Sequence, residues 1–174
     1  LSQILVDKNI NVTCAFSGII DEDIKKNYKL DRINFINTKI LTSFRNKSLI
    51  FRFCFEISTA IVLAVKCFFY FNKRKDLDLI IWYGPSVFLW IVVKAINFKK
   101  KIPVYYILRD IFPDWLISLK VVKNFYIIWL LKKISNPQYA VSDVIGVEAS
   151  ENIIYLNKKG VHTKKIELLP NWPN

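Results

Sequence analysis

The run Ile102-Pro103-Val104-Tyr105-Tyr106-Ile107-Leu108 leads directly into Arg109-Asp110-Ile111-Phe112-Pro113-Asp114-Trp115. Its first half is short, apolar and rich in β-branched and aromatic residues, the composition of a buried strand. The run stops at a charged pair, and a proline with aromatics follows where a helix would otherwise begin. In an open parallel sheet, ligands bind outside the carboxyl ends of the strands. An Arg-Asp pair at such an end is poorly explained by packing, so Arg109 and Asp110 are the leading site candidates.

The neighbouring segments fit the same architecture. Residues 77–83 read as a strand, after which Gly84, Pro85 and Ser86 open a helix to about 98, with proline suited to a first turn. Earlier, 11–16 reads as a strand ended by Ser17 and Gly18, 21–31 as a polar loop, and 32–36 as a short strand. A helix over 48–72 then runs into Lys73, Arg74 and Lys75, cations well placed at the negative end of its dipole. Downstream, 115–119 reads as a helical turn, 124–135 as a helix and 143–147 as a strand. A helix over 150–159 is stopped by Gly160, and 165–169 is a last strand. Strand–helix alternation without hairpin signals predicts an α/β, Rossmann-like parallel sheet with helices on both faces. The strands show little polar alternation, as expected of a sheet covered on both sides.

Composition narrows the function classes. The chain has 174 residues, 53% of them hydrophobic, with a mean hydropathy of +0.26. That is ample material for a core and argues against intrinsic disorder. Lys plus Arg number 26 against 14 acids, a net charge of +12, which suits anionic partners: a phospholipid surface, a nucleic acid or phosphorylated small molecules. The lysines are scattered over helix ends and loops, with no nucleic-acid-binding module, so nucleic acid is the least favoured of these. His162 is the only histidine, which excludes a His-based triad or multi-His metal site within the chain. Cys14, Cys54 and Cys67 show no metal or disulfide spacing and read as small buried hydrophobes of a reducing compartment. Residues 49–71 are long enough to cross a bilayer, yet Arg52, Glu56 and Lys66 would be costly at its centre. The expectation is a buried helix with a basic edge, resting on a membrane surface through aromatics and lysines. With no Met, a helix-like opening over 1–8 and a linker-like close over 170–174, the sequence reads as a piece of a longer protein.

Residues 106–115, with Leu119-Lys120-Val121-Val122-Lys123-Asn124, resemble the Arg-Asp-(Ile/Leu)-(Phe/Trp)-Pro segment of family-4-type glycosyltransferases that build bacterial cell-surface polysaccharides. Three further stretches resemble that family in order and spacing. They are Asp78-Leu79-Ile80-Ile81-Trp82-Tyr83-Gly84-Pro85-Ser86, then 140–147 with Asn152, Tyr155 and Leu156, and finally 164–172. The resemblance implies the N-terminal, acceptor-side half of a GT-B fold. Residues 1–170 would form that Rossmann-like domain without its first strand and Gly-rich turn, and 171–174, with Asn171 and Trp172, would begin the hinge to an absent donor-binding domain. The chain departs from the family pattern at Ala149, where a small hydroxyl residue is common; Ser150 stands one place later.

The resemblance further implies a retaining glycosyltransferase. It would move a sugar from a nucleotide-sugar to a lipid-diphosphate-linked saccharide in O-antigen, lipopolysaccharide or capsule biosynthesis. No metal or cofactor beyond the nucleotide-sugar co-substrate is expected. The enzyme would sit in the cytoplasm, peripheral on the inner face of the bacterial plasma membrane, and this piece would be inactive alone.

Residue types then suggest roles. Asp110 could orient the acceptor hydroxyl and take its proton, or could cap a turn or pair with a structural Arg. Arg109 could hold Asp110 ionised or chelate a phosphate, or form a local salt bridge. Gly84, Pro85 and Ser86 place a helix start at a strand end, either an anion site or ordinary helix initiation. Tyr83, Phe112 and Trp115 are sugar-stacking or lipid-facing walls, or core. Asp114 is read as the N-cap of the turn after it. Tyr83, Gly84, Pro85, Ser86, Asp114 and Trp115 thus form the expected substrate-binding set. The competing function is a non-catalytic, membrane-associated acceptor-binding subunit that relies on a separate donor-binding partner.

Overall fold

A computed structural model of the protein describes residues 2–18, 33–38, 49–74, 76–84 and 86–170. The expected loop over 21–31, Pro85, and the hinge residues Asn171 and Trp172 lie outside the described residues. Chain contacts divide the protein into two compact units, Leu1–Lys73 and Arg74–Asn174.

In the first unit, α1 (Ser2–Asp7) precedes β1 (Val12–Ser17) and β2 (Ile33–Thr38), which pair in parallel from Val12 opposite Ile33 to Ser17 opposite Thr38. The long helix α2 (Leu49–Asn72) packs on both strands. Ala60, Leu63, Ala64, Cys67 and Phe71 form one buried stripe at helical spacing. The Thr59 hydroxyl is absorbed by donating to the Phe55 carbonyl at 2.8 Å, and the Lys66 ammonium donates to the Asn37 carbonyl at 2.7 Å. Phe51, Ile61, Val65 and Phe69 are exposed. By length and composition α2 could cross a membrane, but its buried stripe is that of a helix packed on one side. Cys67 is fully buried, and desolvation pushes its thiol up to about 11. Cys54 is exposed and Cys14 half-buried, correcting the expectation that all three cysteines are core residues.

The second unit carries a four-stranded parallel sheet in the order β3 (Ile80–Gly84), β4 (Val104–Leu108), β5 (Val144–Val147), β6 (Ile166–Leu168). Between the strands lie a 3₁₀ turn (Val87–Leu89) running into α3 (Trp90–Ile96), α4 (Asp114–Ser118), α5 (Phe125–Ser135), α6 (Pro137–Ala140) and α7 (Ser150–Lys158). A second 3₁₀ turn (Thr163–Lys165) leads into β6, and exposed His162 caps it by accepting from the Lys164 N–H. The core gathers Ile80 and Trp82 from β3, Val104, Tyr106 and Leu108 from β4, Ile145 and Val147 from β5, and Val93, Tyr139 and Leu156 from helices. Every second residue of β3 is therefore buried. Ile81 and Tyr83 on its other face are exposed, so β3 is not covered on both sides as its apolar composition suggested.

Polar groups fix this core. Trp82 and Tyr106 are direct partners across β3 and β4, and their rings stack 3.8 Å apart and nearly parallel, at 7°. The Tyr106 hydroxyl donates to Gln138 Oε1 at 2.9 Å, Trp82 Nε1 donates to Ser142 Oγ at 3.3 Å, and Ser142 Oγ donates back to the Gln138 carbonyl at 2.9 Å. Gln138 lies on α6, which the sequence reading did not anticipate. Pro137 at the start of α6 suits a first helical turn. Strand β4 is entered through two side chains. Asn97 binds both the N–H and the carbonyl of Ile102, at 2.7 and 2.9 Å, and Asp143 Oδ2 accepts from the Val104 N–H at 2.9 Å. The Asn97 clamp turns the chain, so α3 ends at Ile96 rather than near 98. Gly160, at φ +84°, ends α7 in the left-handed conformation that favours glycine.

Gly84 closes β3 against the Tyr106 ring. A Cβ there would stand 2.7 Å from the Tyr106 hydroxyl oxygen and 3.0 Å from its Cε2. Stacking and the Gln138 bond hold that ring in place, so Gly84→Ala should cost about 1–3 kcal/mol of stability. In urea titrations, the same substitution should cost measurably less in a Tyr106→Leu background, where no ring is present to clash.

Candidate functional site

The carboxyl ends of β3, β4 and β5 are aligned by register: Gly84 pairs with Leu108, and Leu108 with Val147. Arg109 and Glu148 each stand one residue beyond a paired end, and Tyr83 is the penultimate residue of β3. These three side chains meet. Arg109 Nη1 donates to the Tyr83 hydroxyl at 2.7 Å, Arg109 Nε lies 2.8 Å from Glu148 Oε1, and the guanidinium carbon sits 5.8 Å from the Tyr83 ring centre. The bond to Tyr83 and the charge of Glu148 raise the affinity of Arg109 for its proton above the ordinary value, with Asp110 adding a smaller share. Arg109 therefore forms a local salt bridge, but to Glu148 and not to Asp110. Sequence reasoning missed Glu148; its signal was an acid immediately after a strand, mirroring Arg109 after β4.

Asp110 stands outside this bonded cluster. It is exposed, and among the described residues no hydrogen bond or ion pair occupies its carboxylate. It neither caps a turn nor pairs with a structural arginine. With Arg109, Ile111, Asp114, Trp115, Ser118, Asn152 and Tyr155 it lines a cavity of about 260 Å³. Tyr83 and Trp115 are both about half exposed, so neither is a core aromatic, whereas Phe112 is half-buried. The cavity thus joins a free carboxylate, an indole, a hydroxyl and an amide, the mixture that orients a polyhydroxylated ligand.

Asp114 departs from its expected role. It is the first residue of α4, whose N-cap is Pro113, and no side chain caps that helix. Its carboxylate instead pairs with Lys159 at 2.7 Å, tying α4 to the end of α7. Desolvation opposes ionisation of Asp114, but the bond to Lys159, the nearby Tyr155 hydroxyl and the charges of Lys159 and Lys132 outweigh it, holding the carboxyl below the usual range. The Tyr155 hydroxyl lies beside Asp114 without a hydrogen bond of good geometry, and burial pushes its own ionisation far up.

The helix after Gly84 starts irregularly. It opens as a 3₁₀ turn, Ser86 makes no capping hydrogen bond, and the α-helix that follows has seven residues. Gly84 serves close packing on Tyr106.

No family model matches the chain, and no curated protein matches it. Among solved structures, the chain is similar to a UDP-N-acetylglucosamine 2-epimerase, with a TM-score of 0.52 at 14% identity. The match covers 84% of this chain and 35% of that one, so the chain spans about a third of that protein's length. At this identity the likeness carries the fold, a GT-B-like Rossmann domain, and no activity.

The Asp114–Lys159 pair gives a pH-dependent expectation. Asp114 has a lowered folded-state value, so the pair stabilises above the ordinary Asp range and loses its effect as pH falls through the depressed value. Lys159→Gln should cost about 1–2 kcal/mol near neutrality. In thermal melts across pH, that difference from wild type should shrink below about pH 4.

Proposed function

We propose that this chain is the acceptor-side domain of a retaining, family-4-type glycosyltransferase. It transfers a sugar from a nucleotide-sugar to a lipid-diphosphate-linked saccharide in bacterial cell-surface polysaccharide synthesis, at the cytoplasmic face of the plasma membrane. The observation that carries the reading is the unpaired Asp110 carboxylate lining a cavity beside the Tyr83–Arg109–Glu148 cluster. The likeness to a UDP-N-acetylglucosamine 2-epimerase adds a sugar-nucleotide enzyme of the same fold. The motif residues from 106 to 124 narrow the reading to glycosyltransfer.

In this reading the acceptor sugar enters the cavity and stacks on Trp115, with Ser118 and Asn152 meeting its hydroxyls. Asp110 accepts the proton of the acceptor hydroxyl as its oxygen bonds the anomeric carbon on the same face from which the nucleoside diphosphate leaves, so the configuration is retained. Arg109 faces the acceptor's diphosphate, which competes with Glu148 for the guanidinium. The donor is held by a second Rossmann-like unit, so Asp110 and the cavity contribute acceptor orientation and proton removal only.

The test is turnover of labelled nucleotide-sugars onto lipid-diphosphate-linked saccharides by the protein with its donor-binding half. Asp110→Asn, nearly isosteric and at an exposed position, should fold normally and lower kcat by about 10²–10⁴-fold with little change in KM. Unchanged turnover with intact folding would remove Asp110 from the mechanism. Turnover by this chain without any second unit would refute the division of labour.

A further inference from the structure

Helix α5 buries few of its residues. Leu131 and Ser135 turn inward and Ile128 and Ile134 are half-buried, which accounts for one side of the helix. The other side, where a soluble helix places charge, carries Phe125, Tyr126, Ile127, Trp129 and Leu130. Phe125 is 74% exposed, Tyr126 77% and Trp129 53%. The turn before the helix continues the surface with Leu119 and Val121, also exposed. An apolar surface this contiguous is a contact face for something.

Charge identifies what it meets. From Trp115 to Ser142 the chain holds no Asp or Glu, while Lys120, Lys123, Lys132 and Lys133 fall within it. All four lysines are exposed, on the turn before the aromatic face and in the last turn of the helix, and Lys133 lies 4.9 Å from the Trp129 ring centre. Aromatics that accept both apolar and polar surroundings, flanked by cations, match the boundary between acyl chains and anionic headgroups. A second copy of this chain is a poor occupant, because a two-fold contact sets the same lysines against each other.

We propose that the surface from 119 to 133 is a membrane-docking face that inserts Phe125, Tyr126 and Trp129 into the interfacial layer of an anionic bilayer. The lysines then face its phosphates. The inference rests on the membrane-associated part of the reading above and not on its sugar chemistry.

The experiment is flotation of the protein with vesicles of phosphatidylglycerol and phosphatidylcholine, or of phosphatidylcholine alone, with no sugar substrate present. Wild type should bind the anionic vesicles at least tenfold better than the neutral ones. The triple variant Phe125→Ser, Tyr126→Ser and Trp129→Ser alters exposed side chains, so it should keep its far-UV circular dichroism and lose at least tenfold in vesicle binding. The double variant Lys132→Glu and Lys133→Glu should lose the preference for anionic lipid. Failure of wild type to bind either vesicle would overturn both this proposal and membrane association itself. Vesicle binding by a folded triple variant equal to wild type would overturn the docking face alone. Two other outcomes would also overturn it: self-association abolished by the triple variant, or tighter binding of a random oligonucleotide than of anionic vesicles.

Discussion

Trp82 and Tyr106 lie flat against each other between two neighbouring parallel strands, and much of the second unit is arranged around that contact. Aromatic pairs add about 0.5–1.5 kcal/mol beyond the area they bury. The larger constraint here is placement. Both rings carry a polar atom into the core, and each must find a partner there. Gln138 and Ser142 supply them, which fixes α6 beneath the sheet. The Tyr106 ring also claims the space beside Gly84, so the last residue of β3 has no side chain of its own. Core packing and site geometry meet at the end of that strand.

The strands were readable because each is a short run of β-branched and aromatic residues bounded by turn or charged residues. Parallel pairing and the Rossmann-like class followed from the alternation with helices. Arg109 and Asp110 were locatable because an abrupt charge after such a run has few packing explanations. The partners of Arg109 and Asp114 were not. Glu148 is remote in sequence and meets Arg109 only once β4 and β5 are in register, and Lys159 reaches Asp114 across 45 positions. A helix of four residues such as α6 leaves no periodicity to detect, and the worth of Gln138 depends on a tyrosine 32 residues away.

The same limit applies to side-chain exposure. Alternation along β3 is one of position rather than polarity: Ile80 and Trp82 are buried and Ile81 and Tyr83 exposed, although all four are apolar or aromatic. Helix α5 repeats the case, with apolar residues on its inward and outward sides alike. Where both faces of an element are greasy, sequence pattern identifies the element but not the side that is covered. Only tertiary packing distinguishes a core residue from an available one.

Arg109 and Glu148 occupy the first positions past the last ladder pairing between β4 and β5. Their ion pair continues that ladder beyond the backbone, and the Tyr83 hydroxyl extends it sideways to β3. Side chains of successive strand residues point to opposite faces, so a slip of β4 by one residue would carry the guanidinium away from both partners. The charged rim is thus a registration mark, assembled only when three separate stretches of chain are aligned.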